Sequence, residues 1–106
     1  MLFRSPRPGQ QLFADSKALD VSSWAGRCDL VFVDGSHAYS YVVSDSAKAL
    51  ELVAPGGLVI WHDYAGPRHA SGVYRALNVL AQRLPLVRLE GTTLVEIGRA
   101  SCRERV

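Results

Sequence analysis

The sequence lacks the features that mark membrane, secreted or disulfide-rich proteins. Its apolar runs stay short, as at 58–61, whereas a membrane-spanning helix needs roughly 20 apolar residues. The first residues show no long apolar segment followed by a small-residue cleavage site, so no secretory signal is indicated and the cytoplasm is the expected compartment. Two distant cysteines, Cys28 and Cys102, predict neither a zinc knuckle nor a disulfide framework nor redox chemistry.

The chain also has little net charge. Of its 12 basic and 10 acidic residues, the last ten positions hold three arginines and one glutamate, which leaves nine of each sign before them and accounts for the whole formal charge of +2. Residues 1–96 therefore offer no cationic surface, and neither a nucleic acid nor a membrane is expected as a partner. A length of 106 residues, 48% hydrophobic and 21% charged, predicts a single domain.

The last ten residues, 97–106, differ in pattern from the rest of the chain. They have no apolar periodicity, and they resemble the in-frame translation of a short-read sequencing adapter. We expect this tail, which includes Cys102, to be non-native and to take no part in the function. The domain is expected to span residues 1–96, and it is expected to be partial.

Short apolar strands alternate with helical patterns along the rest of the chain. A β-branched and aromatic run at 29–34 predicts a strand buried on both faces, and 58–61 predicts a second one. Helical spacing of apolar residues begins at Tyr39, with Ser36 or Ser40 as N-cap and an end at 55–57. A second helix, capped by Ser71, is predicted up to Pro85. Weaker patterns predict a short strand at 11–14 and a hairpin from 86–89 and 93–97.

This order, β-α-β-α-β-β, predicts half of an open α/β sheet with parallel strands and a terminal antiparallel hairpin. In such sheets ligands bind beyond the carboxyl ends of the strands. The segments at that edge are 34–37 and 62–64. If the two strands are direct neighbours, about 4.8 Å apart, Asp34 and Asp63 emerge close enough to share a cation.

The segment from Asp29 to Tyr64 resembles a known family. Two of its motifs are similar to the second half of class I S-adenosylmethionine-dependent methyltransferases. One is the strand end Phe-Val-Asp-Gly-Ser-His-Ala-Tyr, and the other is the later Val-Ala-Pro-Gly-Gly-Leu-Val-Ile-Trp-His-Asp-Tyr. The resemblance implies a Rossmann-like methyltransferase sheet, truncated to its second half. More loosely, Asp15 and Ser16 resemble the loop that faces the adenine of the cofactor, although they also suit an ordinary turn.

The first half of that family is not recognisable. It contributes a glycine-rich turn after the first strand and an acidic residue after the second, yet the nine glycines of this chain include no Gly-x-Gly spacing. We therefore expect the parent protein to bind S-adenosylmethionine and the isolated chain to be inactive.

The resemblance also implies roles for the residues at the strand ends. Asp34 and Gly35 lie beside the sulfonium end of the cofactor, and the equivalent of Asp34 is a divalent-metal ligand in related O-methyltransferases, although Asp34-Gly35 alone also suits a tight turn. His37 points into the acceptor pocket, where an imidazole can take a hydroxyl proton or merely cap the next helix. Asp34, His62 and Asp63 form a candidate metal set, since manganese, iron and zinc accept imidazole.

The function implied is methyl transfer to a hydroxyl of a small molecule such as a sugar, a phenol or a polyketide-type compound. Two alternatives stay open. One is a metal-dependent hydrolase or hydroxylase-like enzyme that uses Asp34, His37, His62 and Asp63 without S-adenosylmethionine. The other is a fragment with no catalytic role. The oligomeric state is not indicated by the sequence.

Overall fold

A computed structural model describes residues 2–3, 11–97 and 103–105 of the chain. The elements within these residues are β1 (Leu2–Phe3), a 3₁₀ turn (Ser22–Trp24), β2 (Cys28–Val33), α1 (Tyr39–Leu52), β3 (Val53–Trp61), α2 (Ser71–Leu80), β4 (Leu86–Leu89), β5 (Val95–Ile97) and β6 (Arg103–Arg105). The six described strands form one sheet in the order β1-β2-β3-β5-β4-β6.

The centre of the sheet is the predicted parallel pair. β2 and β3 are direct neighbours, with Val31 opposite Val59 and Val33 opposite Trp61, and α1 forms the crossover between them. A parallel pair needs such a crossover because a short hairpin cannot return the chain in the same direction. The predicted fold class is confirmed: the architecture is mixed α/β and fits a truncated Rossmann-like methyltransferase sheet.

The core lies between this sheet and the two helices. Alternate strand residues face the helices and are almost completely buried, whereas Leu30, on the opposite face of β2, is 43% exposed. Fully burying a side chain such as Leu52 or Leu77 stabilises a fold by about 1.5–3 kcal/mol, so both helices are held mainly by their apolar faces. The buried residues shared between sheet and helices are Val31, Val33, Val42, Ala49, Leu52, Val59, Trp61, Val73, Ala76 and Leu77.

The terminal hairpin is confirmed and completes the other side of the sheet. β4 and β5 pair antiparallel, and β5 lies directly beside β3, with Val95 opposite Trp61. In the turn, Gly91 has φ 72°, a left-handed conformation that glycine adopts without steric cost. The hydroxyl of Thr92 donates to the carbonyl of Leu89 and accepts from the amide of Leu94, which fixes the turn.

Some local predictions were wrong. Residues 11–14 form no strand. Leu12 and Phe13 are exposed, Phe13 by 87%, because no described strand packs against them. α1 ends at Leu52, and 55–57 lie inside β3 rather than in a turn. The N-caps are Ala38 and Ala70, and neither helix has a side-chain cap. Backbone geometry and packing therefore set these ends in place of the predicted serine caps.

Ile97, the first residue of the segment expected to be non-native, belongs to β5. Farther on, β6 pairs antiparallel with β4. Cys102 lies outside the described residues. None of the helices within the described residues combines the length and apolar character that crossing a bilayer requires.

Candidate functional site

The site lies at the carboxyl edge of β2 and β3. The amide of His62 donates to the carbonyl of Val33 at 3.1 Å, so the parallel pairing continues one residue past β3. This places Asp34, which follows β2, next to His62 and Asp63, which follow β3. The predicted meeting of these residues follows directly from strand adjacency.

Asp63 adopts an unusual backbone conformation. Its φ is 67°, in the left-handed region, which Asp tolerates better than most residues but which still costs about 1–3 kcal/mol. This turn directs the carboxylate back across the edge of the sheet. Its Oδ2 lies 2.7 Å from Nε2 of His37, and its Oδ1 lies 3.0 Å from Nδ1 of His62. One carboxylate therefore joins two imidazoles.

These contacts determine the charge on Asp63. Partial burial acts to raise the pKa of its carboxyl, but the hydrogen bond to His37 and the neighbouring imidazole of His62 lower the pKa more, and the net pKa lies below its usual value. The carboxyl is therefore ionised at neutral pH. Since an ionised carboxylate only accepts hydrogen bonds, Nε2 of His37 donates the proton and Nδ1 of a neutral His37 keeps a free lone pair.

His62 has an unsatisfied polar atom. Its Nδ1 is buried and lies 3.3 Å from Oδ1 of Asp34 and 3.0 Å from Oδ1 of Asp63, yet it makes no hydrogen bond of good geometry. Phe32 packs edge-on against the ring, with the centroids 6.1 Å apart. A buried nitrogen beside two carboxylate oxygens is costly unless a proton or a cation lies among them.

The same three side chains satisfy the geometry of a cation site. One ligand atom each from Asp34, His62 and Asp63 lies within 4.8 Å of the others. Two carboxylate oxygens and an imidazole nitrogen are a donor set that manganese, iron or zinc accepts, whereas calcium and magnesium prefer oxygen alone. The unsatisfied Nδ1 of His62 supports this fit.

A shallow cleft contains all of these groups. The side chain of His37 is 50% exposed and that of Asp63 is 23% exposed, so a ligand can reach His37 while Asp63 supports it from below. The cleft is lined by Val33, Asp34, Gly35, Ser36, His37, Val42, Trp61, His62, Asp63 and Val73. It brings an exposed imidazole, a second imidazole and two carboxylates together in one place.

Asp15 and Ser16 lie elsewhere, against α1. The hydroxyl of Tyr41 donates to both carboxylate oxygens of Asp15, at 2.9 and 2.8 Å, and Lys48 donates to the carbonyl of Ser16. The hydrogen bond from Tyr41 lowers the pKa of Asp15 and raises that of Tyr41. The loop that contains Asp15 and Ser16 is therefore attached to α1, and neither residue lines the cleft.

Comparison with known proteins identifies the family. The family model described as a methyltransferase domain matches residues 6–64, which is more than half of the chain. The chain belongs to this methyltransferase family. The match contains both strand ends that carry the cleft, and it ends at Tyr64, directly after Asp63. No curated protein and no solved structure matches the chain.

Three features of the methyltransferase domain were not found from the sequence. The hydrogen bond from His37 to Asp63 was missed, although both residues follow predicted strands. The indole of Trp61 donates to the hydroxyl of Ser46 at 2.9 Å inside the core, and a serine on the apolar face of a predicted helix was the available signal. Gly72 lies against the backbone of the His37 loop, and no sequence pattern reveals that contact.

Proposed function

We propose that this methyltransferase domain serves S-adenosylmethionine-dependent methyl transfer to a hydroxyl group of a small molecule. The observation that carries the proposal is the meeting of Asp34, His37, His62 and Asp63 in one cleft at the carboxyl edge of the sheet. The neutral charge of residues 1–96 favours a small-molecule acceptor over nucleic acid, and we propose that the reaction takes place in the cytoplasm without a membrane partner.

His37 is the proposed proton acceptor. Its Nδ1 carries the free lone pair because Nε2 is engaged by Asp63. Nδ1 would take the proton of an acceptor hydroxyl in the cleft, so that the oxygen can bond to the methyl carbon that the cofactor would release as its sulfur–carbon bond breaks. Asp63 would stabilise the imidazolium that forms. A positioned base of this kind contributes about 10²–10⁴-fold to a rate.

Asp34, His62 and Asp63 would hold a divalent cation. When bound, the cation would supply positive charge that stabilises the developing oxyanion of the acceptor. The chain fixes the positions of the ligand atoms. The pairing of β2 with β3 fixes Asp34 and His62, and the left-handed backbone conformation of Asp63 fixes its carboxylate. The second oxygen of Asp63 is held by His37, so the proton acceptor and the cation ligands share one carboxylate.

We propose that the described residues hold one end of S-adenosylmethionine. When bound, this cofactor supplies the methyl group. Asp34 and Gly35 at the strand end are the proposed contacts to its sulfonium end, and Asp15 and Ser16 are the proposed contacts to its adenine. Because the chain contains no Gly-x-Gly turn, we propose that binding of the whole cofactor requires such a turn from additional sequence.

The test is methyl transfer from labelled S-adenosylmethionine to a panel of sugars and phenols by the natural protein that carries this chain. We expect Asp34→Asn to reduce transfer at least ~10²-fold, because a ligand charge is lost while the shape is kept. Asp29→Asn is the matched control, since Asp29 is an exposed carboxylate at the opposite end of β2. Full activity of Asp34→Asn would contradict the proposal.

The cluster of two imidazoles and two carboxylates also favours a second candidate, a metal-dependent hydrolase or hydroxylase-like enzyme. The same protein distinguishes the two. Turnover of an ester or phosphoester that needs the cation and is unaffected by S-adenosylmethionine would favour the second candidate. Transfer of the label to a hydroxyl favours the first.

A further inference from the structure

Gly72, the second residue of α2, approaches the backbone of the loop that carries His37. A Cβ at position 72 would lie 2.7 Å from the amide nitrogen of Tyr39, 3.1 Å from the carbonyl carbon of Ala38 and closer still to the carbonyl oxygen of His37. Real Cβ atoms essentially never lie within 3.0 Å of another heavy atom, so the carbonyl oxygen of His37 and the amide nitrogen of Tyr39 would have to shift. No flexible side chain can move aside here, because all three neighbours are backbone atoms.

The start of α2 is itself oriented by backbone geometry. Ala70 has φ 51° and ψ 51°, and its carbonyl accepts from the amides of Val73 and Tyr74. Val73 lines the cleft and belongs to the core, so the first turn of α2 is anchored on the side away from solvent. The helix therefore cannot retreat from the loop without losing packing in the core.

We propose that Gly72 is a positioning residue for the cleft: by leaving out a side chain, it lets α2 hold the backbone of His37 where Nε2 reaches Asp63. This inference rests on the proposed function, because it assigns the purpose of the contact to the His37–Asp63 pair. Gly72 touches neither acceptor nor cation. It acts through His37, and through His37 on the carboxylate of Asp63.

The contact at Gly72 affects the hydrogen bond from His37 to Asp63 because the contacted backbone is that of His37 and the next two residues. The contact atoms belong to His37, Ala38 and Tyr39, and Tyr39 is already the first residue of α1. A shift of the His37 backbone by even half an ångström lengthens the 2.7 Å hydrogen bond to Asp63. Asp63 then loses the donor that orients it, and Oδ1 is no longer fixed beside His62. Loss of such an outer hydrogen bond typically lowers metal affinity 10–100-fold.

The experiment compares Gly72→Ala with Ser71→Ala in the full chain. Ser71 is exposed in the same turn of α2 and caps no backbone group, so it is the matched control. Two quantities are measured: the ¹⁵N shifts of the His37 ring, which report its tautomer, and the affinity for Mn²⁺ by calorimetry. In the wild type we expect one tautomer with the proton on Nε2.

In Gly72→Ala we expect a mixture of tautomers and an Mn²⁺ affinity at least about 10-fold lower, with both properties unchanged in Ser71→Ala. In a His37→Ala background, adding Gly72→Ala should cause no further loss of affinity, because the path through His37 is already removed. Unchanged ¹⁵N shifts in a folded Gly72→Ala variant would overturn the proposal.

Two further outcomes keep the inference separate from the function on which it rests. If the wild type binds no Mn²⁺, the proposed cation site fails, and the ¹⁵N shifts still decide the role of Gly72. If Gly72→Ala does not fold, nuclear Overhauser contacts in the wild type decide it: contacts from the Gly72 Hα protons to the Tyr39 amide support the proposal, and their absence overturns it.

Discussion

The carboxylate of Asp63 lies 2.7 Å from Nε2 of His37, although 26 positions separate the two residues in the chain. Each residue follows a different strand of the parallel pair, and the left-handed backbone of Asp63 directs its side chain toward His37. The pair therefore exists only in the folded domain. It joins the proposed proton acceptor to the proposed cation ligands.

Replacement of His37 tests the proton acceptor separately from the cation. In the natural protein we expect His37→Ala to lower methyl transfer by about 10²–10⁴-fold, the usual contribution of a general base. His69→Ala is the control, since His69 is exposed and outside the cleft. A His37→Ala enzyme that stays active until a chelator is added would assign deprotonation to the cation instead.

Cation binding should stabilise the fold. A ligand that binds only the native state adds about 2.7 kcal/mol to the free energy of unfolding at 100 times its dissociation constant. We expect Mn²⁺ to raise the midpoint of thermal unfolding of the chain, with the effect lost in Asp34→Asn and kept in Asp29→Asn. Equal stabilisation of both variants would show that Mn²⁺ binds elsewhere.

The chain by itself should not bind S-adenosylmethionine with measurable affinity, because no Gly-x-Gly turn is present to hold the methionine portion. Isothermal titration calorimetry with the 106-residue chain checks this expectation. Micromolar binding would show that the edge formed by Asp34 and Gly35 suffices for the cofactor.

The hydrogen bond between Tyr41 and Asp15 should be visible in the titration of Asp15. The pKa of this carboxyl is lowered first by Tyr41 and then by the amide of Lys17, so the bond stabilises the fold above the unfolded-state pKa and is lost as the pH falls through the folded-state pKa. Carbon-13 NMR should show the pKa of Asp15 rising toward its ordinary value in Tyr41→Phe. Asp20 is the internal control, because Ser22 causes its shift.

The buried bond from Trp61 to Ser46 should contribute to stability. Ser46→Ala leaves the indole N–H of Trp61 without its acceptor in the core, which typically costs about 1–3 kcal/mol. Denaturant unfolding measures this loss. Ser44→Ala on the same helix should change the free energy of unfolding by less than about 0.5 kcal/mol, and an equal effect of both variants would argue that helix propensity is the cause.

The sheet and helices were largely predictable from the sequence because their signals are strong and local. The runs at 29–34 and 58–61 are apolar and β-branched, and the helices predicted from Tyr39 and from Ser71 match α1 and α2. The apolar run at 12–14 misled the prediction, since a run of three apolar residues does not reveal whether a partner strand is available. Where β5 enters the sheet depends on contacts distant in sequence.

The site was predictable only in part. Strand adjacency brings Asp34, His62 and Asp63 together, and strand adjacency follows from the β-α-β pattern. The partner of His37 depends on two features that have no sequence signature here, the positive φ of Asp63 and the close approach of Gly72. Both arise from packing between elements, so local patterns could not reveal them.

At Asp63 the backbone strain lowers the stability of the fold, whereas the side chain is needed for the proposed chemistry. Asp63→Gly would relieve the backbone strain and, by that effect, favour the folded state, while it would remove the carboxylate on which both histidines depend. Natural selection keeps a strained residue only while its activity is needed. In a lineage of this domain released from catalysis, we therefore expect position 63 to be among the first to drift, and to drift toward glycine or asparagine.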